Sequence, residues 1–187
     1  MAANSFMVPL GSPAPDFDLT AIDGGSVSLA DLKGSPATLV VFLSNHCPYV
    51  RHIEHGLGAM AADYGSRLSV VAICSNDSVN YPDDDATHLA EQAARAGFTF
   101  PYLLDETQET AKAYRAACTP DFFLYDGAFK LAYRGEFDGA RPSNDVPVTG
   151  ASLRAAIDAL LAGDEVSRTQ QPSIGCGIKW KPGNAPA

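Results

Sequence analysis

The feature that most constrains this chain is the apolar run ATLVVFL at 37–43, followed at once by SNHCPYV at 44–50. A run without polar alternation is the pattern of a strand covered on both faces, so helices are expected on each side of a sheet. Beyond Cys47 the apolar residues Val50, Ile53, Leu57, Met60, Ala61 and Tyr64 share one helical face. Pro48 falls at the first helical position, where its missing N–H costs nothing. A second buried run, LSVVAICS at 68–75, marks the next strand.

The rest of the chain continues this α/β order. LGSPAPDFDLTAIDGGSVSLADL reads as an N-terminal β-hairpin around Asp23-Gly24-Gly25. DDATHLAEQAARAG is a helix stopped by Gly97, with the acidic run Asp83, Asp84, Asp85 capping it. TFPYLLD is a short strand and TQETAKAYRA a short helix. DFFLYD and KLAYRGEF form a second hairpin around Asp126-Gly127, and GASLRAAIDALLAG is a final amphipathic helix. The expected domain spans 1–164. The tail, 165–187, lacks helical or strand periodicity, yet it carries Cys176 and Trp180 and is expected to pack on the domain.

Composition narrows the function classes. A net charge of −9 argues against nucleic acid or an anionic membrane as partner. No stretch is long enough to span a membrane and the start reads as no secretory signal, so a cytoplasmic setting is expected. Four cysteines in that setting point to free, catalytic or metal-bound thiols rather than a disulfide framework. Cys74, inside an apolar strand, reads as structural.

Cys47 reads differently. At the mouth of a helix it faces unpaired N–H groups and the positive end of the dipole, which favour a thiolate over the ordinary thiol of pKa about 8.5. A donating His46 acts in the same direction. His52 and His55, spaced i, i+3, could chelate a metal, but the solvated reading of both is preferred and no metal or other cofactor is assigned. The segments hold no phosphate-binding glycine loop or hydrolase elbow.

APDFDL, FLSNHCPYV, TPDFFLYD and AYRG together resemble the thioredoxin superfamily, and within it the peroxiredoxin-like branch related to alkyl hydroperoxide reductase and thiol-specific antioxidant proteins. The resemblance covers about 13–163. It implies a thioredoxin-like fold, with a central mixed sheet flanked by helices. Cys47 matches the first cysteine of the Cys-x-x-Cys site, but Val50 stands where the second would be. Ser44 and Cys47 match half of the peroxiredoxin motif, with Val40 in place of its proline. At the later strand, ACTPDFFLYD, no arginine stands at the place the peroxiredoxin pattern expects, and Arg134 reads as a hairpin residue. Pro120 matches the cis-proline facing the active cysteine. Thr119 before it is implied to offer its backbone to an extended substrate, with His46 and Pro48 completing the substrate-binding wall.

The implied activity is thiol–disulfide exchange with Cys47 as nucleophile, on a disulfide-bearing protein or a small thiol or peroxide, recharged by a cellular thiol reductant. Cys118, favoured on fold grounds, or Cys176 in the tail would resolve the mixed disulfide. A peroxidase using Cys47 with Ser44 is one alternative. A copper or zinc binder using Cys47, Cys118 and a histidine is the other.

Overall fold

The computed structural model describes residues 2–186. In chain order the elements are β1 (Ala2–Asn4), β2 (Asp18–Ala21), β3 (Ser26–Ser28), β4 (Ala37–Phe42), α1 (Pro48–Tyr64), β5 (Leu68–Cys74) and α2 (Ala86–Ala96). Then follow β6 (Tyr102–Leu104), α3 (Glu109–Tyr114), β7 (Cys118–Thr119), β8 (Asp121–Asp126), β9 (Leu131–Gly135), α4 (Ala151–Ala162) and β10 (Ile174–Gly177). No described helix is long and apolar enough to cross a membrane.

The main sheet has seven strands in the order β3-β2-β6-β5-β4-β8-β9. It is mixed: β5 runs parallel to β4 and β6, whereas β8 runs antiparallel to β4. Every residue of β4 is buried, as its uninterrupted apolar run requires. Alternate β4 side chains feed two cores. Leu39 and Val41 pack with Val50, Ile53 and Leu57 of α1, Leu89 of α2, and Leu153 and Ile157 of α4. Val40 and Phe42 point the other way, toward Ala111 and Tyr114 of α3, Phe123 of β8 and Phe17. Burying a leucine such as Leu57 contributes about 1.5–3 kcal/mol.

The local signals act as their chemistry predicts. The Asp23 carboxylate accepts the Gly25 N–H in the first hairpin, and Asp85 caps α2 by accepting the His88 N–H. Gly97 ends α2 at φ 69°. Gly58 lets α1 cross α2 closely, because a Cβ there would meet the Ala96 carbonyl.

The departure from the sequence reading is in the tail. Ile174–Gly177 is a strand, β10, in a second sheet of order β1-β10-β7. A segment reading Ile-Gly-Cys-Gly has too few side chains to show alternation, and its partners lie far away in the sequence.

Candidate functional site

Strand β4 delivers the chain through Ser44, Asn45 and His46 to Cys47, which is the residue preceding α1, with Pro48 opening the helix. The approach is braced from inside the helix: Arg51 Nε donates to the Asn45 carbonyl at 2.6 Å. Cys47 is fully buried, and its thiol donates to the Thr119 carbonyl at 3.0 Å. The Thr119–Pro120 peptide is cis. The nucleophile candidate and the cis-proline segment are therefore in direct contact.

The tail completes the site. β10 pairs antiparallel with β7, placing Cys176 opposite Thr119 and Gly177 opposite Cys118. Its other edge pairs with β1, where Ala2 faces Cys176. Gly175 is obligatory: a Cβ there would collide with the Thr119 carbonyl. This pairing sets the partly exposed Cys176 thiol against Cys47. Burial, and then hydrogen bonding to the Cys47 thiol, push the Cys176 pKa up to about 12, so Cys176 stays a thiol at neutral pH. Thr119 is flanked by Cys47 through its carbonyl and by Cys176 through the ladder.

Cys118 lies elsewhere. Successive strand residues face opposite sides, and its sulfur turns toward the Pro120 carbonyl at 3.7 Å. Burial raises its pKa strongly, reinforced by the Asp121 charge. Beside it, Arg134 and Asp121 form an ion pair with no exposed surface on either side chain. The Arg134 guanidinium also covers the Phe123 ring, 3.8 Å from its centroid. Arg134, read as a hairpin residue, is thus a buried prop under the cis-proline segment.

On the other flank the organising group is Asp84, whose side chain is fully buried. Its carboxylate accepts from His46 Nδ1 at 2.7 Å, from the Asn45 N–H at 2.6 Å, from Asn76 Nδ2 at 2.6 Å and from Ser44 Oγ at 3.1 Å. Burial opposes the charge, but the hydrogen bonds from His46 and Asn76 outweigh it and hold the carboxyl below its usual range. His46 also stacks on Tyr81, with ring centroids 5.5 Å apart. Ser44 thus directs its hydroxyl to Asp84, whereas Cys47 bonds to Thr119. The Asn76 side chain carries a second load: its carbonyl accepts the Lys179 N–H from the tail at 2.7 Å.

A third brace lies behind the helix. Glu54, buried on α1, accepts from Arg95 Nε at 2.7 Å and from Gln92, which also donates to the Ser44 carbonyl at 3.3 Å. Asp84, the Arg134–Asp121 pair and Glu54 were all missed in the sequence. The acidic run gave only a capping signal, and Asp85 alone provides that cap. His55 is exposed, whereas the partly buried His52 hides an Nε2 with no partner. Among the described residues no three His, Cys, Asp or Glu side chains converge to hold a metal.

Comparison with known proteins fits this geometry. The AhpC/TSA family matches residues 10–134, more than half of the chain. The chain belongs to the AhpC/TSA family. Within this family setting, a solved structure from Geobacillus kaustophilus is 53% identical, covers 97% of each chain and superposes with a TM-score of 0.94. A solved structure from Sinorhizobium meliloti is 51% identical, covering 96% of this chain and 99% of that one, also at a TM-score of 0.94. Among curated proteins, the thiol-disulfide oxidoreductase ResA of Geobacillus kaustophilus is 31% identical over 121 residues, 64% of each chain. The chain spans 63–64% of the length of the curated relatives it matches. The AhpC/TSA fold here is thioredoxin-like, with a central mixed sheet flanked by helices.

Proposed function

We propose that this AhpC/TSA protein is a thiol–disulfide oxidoreductase in which Cys47 is the nucleophile and Cys176 its resolving partner, working in the cytoplasm on thiol- or disulfide-bearing partners. The observation that carries the reading is the β7–β10 register, which sets Cys176 opposite Thr119 while the same threonine accepts the Cys47 S–H. Thiol–disulfide exchange needs an attacking sulfur with a second sulfur in reach to release the mixed intermediate. Here the second sulfur comes from the tail in place of the missing helical cysteine. Asp84 fixes His46 beside Cys47, and Pro120 with Thr119 walls the site.

The test is non-reducing peptide mapping after one equivalent of diamide, which accepts two electrons and two protons from a dithiol. A Cys47–Cys176 bridge is the expected product. A Cys47–Cys118 bridge would reassign the resolving role, and Cys47 left as a thiol would overturn the reading. Peroxide turnover lost in Cys47→Ser would instead favour the peroxidase activity that family membership suggests.

A further inference from the structure

The two sulfurs of the pair differ in access. Cys47 is fully buried, whereas Cys176 is partly exposed. In a Cys47–Cys176 disulfide, the sulfur that an outside thiolate meets is therefore that of Cys176. What outside thiol could arrive is limited by the backbone around it. A polypeptide docking in extended form needs a free strand edge for its main-chain hydrogen bonds. The β7 edge is taken by β10, and the outer β10 edge is taken by β1. The groove beside Pro120, walled by Tyr49, Ile53, Phe137, Ser173 and Ile174, keeps a free volume of about 10 Å³, room for one water.

The covering strand is also pinned at both ends. Ser173 Oγ donates to the Pro120 carbonyl at 2.8 Å, and the Ser5 N–H donates to the Ser173 carbonyl at 2.9 Å. Beyond the strand, the Asp77 N–H donates to the Lys179 carbonyl at 2.8 Å. The cation beside Cys176 is Lys179, although the chain as a whole is acidic. Lys179 Nζ donates to the Gly177 carbonyl, next to Cys176, at 2.8 Å and stands 5.8 Å from the Tyr81 ring centroid. The nearby Asp84 carboxylate is turned inward, onto His46 Nδ1, the Asn45 N–H and Asn76 Nδ2.

Resting on the oxidoreductase reading above, we propose that the oxidised Cys47–Cys176 pair is recharged by a low-molecular-weight thiol bearing carboxylates, which attacks the Cys176 sulfur, and that β10 shuts out polypeptide dithiols. The first thiolate forms a Cys176–S–S–R bond and breaks the Cys47–Cys176 bond, so Cys47 leaves as a thiolate at the first turn of α1. A second thiolate attacks the outer sulfur of that mixed disulfide, releasing R–S–S–R and the Cys176 thiolate. Two electrons pass to the pair, and the two thiol protons of the reductant end on Cys176 and on Cys47.

The experiment uses the full chain, oxidised with diamide and mapped first. Cys47 left as a thiol at that stage would remove the oxidoreductase reading itself, before any reductant is added, whereas a Cys47–Cys118 bridge would keep that reading and overturn the present proposal. The bridged protein is then mixed with reduced glutathione, with cysteamine, or with thioredoxin kept reduced by its reductase, and free thiols are counted by quenched alkylation. Glutathione should win over cysteamine by roughly threefold to tenfold at equal thiolate concentration, the effect of one nearby charge, and Lys179→Gln should bring the two to parity. Thioredoxin should be slow, and Gly175→Val, which breaks the fit of β10 on Thr119, should accelerate it. Mass spectrometry should find the transient glutathione adduct on Cys176. Fast thioredoxin reduction of the unaltered protein, an adduct on Cys47, or equal rates for the two small thiols would each overturn the proposal.

Discussion

Asp84→Asn tests whether a buried carboxylate organises the segment leading to Cys47. Asp84 accepts four close hydrogen bonds, from the Asn45 N–H, Asn76, Ser44 and His46, with no solvent to replace any of them. An asparagine keeps one carbonyl acceptor but turns an NH2 group toward donors, so at least one buried donor is left unpaired. An unpaired buried group costs about 1–3 kcal/mol, and loss of one charge from a buried, hydrogen-bonded pair about 3–5 kcal/mol. The net expectation is a loss of about 2–4 kcal/mol. For a chain of this size that lowers Tm by roughly 4–16 °C.

The pH dependence supplies a second readout. The folded carboxyl titrates below its unfolded value, so the stability it contributes is present above the unfolded pKa of about 3.9. That contribution is lost as pH falls through the folded pKa. Urea midpoints measured from pH 7 down to pH 3 should therefore fall less steeply in the variant than in the parent. Equal acid limbs, or a loss below about 0.5 kcal/mol at pH 7, would refute the argument that this carboxylate is charged and structurally required.

Other substitutions probe the remaining supports. Gly175→Ala should raise the rate at which iodoacetamide alkylates Cys47, since a Cβ cannot coexist with the Thr119 carbonyl unless β10 lifts; an unchanged rate would show that the strand does not cover the sulfur. Arg134→Met should cost about 3–5 kcal/mol in denaturant melts by leaving Asp121 buried without its counter-charge, and adding Asp121→Leu should recover only part of it, because Ser5 Oγ and the Ala117 N–H then lose their acceptor. Cys176 in the reduced protein should resist alkylation at pH 8 far more than an exposed thiol, and react as pH rises toward about 12.

How far the sequence speaks depends on whether the signal is local. β4 and α1 are legible because a strand buried on both faces and an amphipathic helix write their surroundings into consecutive residues. Cys47 at the helix mouth follows from the same two elements, as does its place opposite Pro120 once the fold is recognised. The sequence names both Cys118 and Cys176 as candidate partners of Cys47 and favours Cys118 on fold grounds, but the contacts of either sulfur are not legible in it; strand alternation turns the Cys118 sulfur toward the Pro120 carbonyl. Cys176 is brought in by a four-residue strand whose ladder partners are residues 2–4 and 118–119. Asp84 stood in a run of three aspartates, each equally able to cap α2. Only the folded loop decides that Asp85 caps and Asp84 turns inward to His46.

Asn76 has a consequence that reaches past its own hydrogen bonds. Its amide has two ends, and each is committed: the NH2 to Asp84, the carbonyl to the backbone of Lys179. The group is a tie rod between the tail and the His46 flank. When the tail lets go, the amide loses the contact that fixes its orientation, and Asp84 loses a donor with a fixed direction. Departure of the covering strand is thus felt at the imidazole as well as at the sulfurs, through one side chain that a leucine could not replace and an aspartate, with no N–H to give, could not imitate.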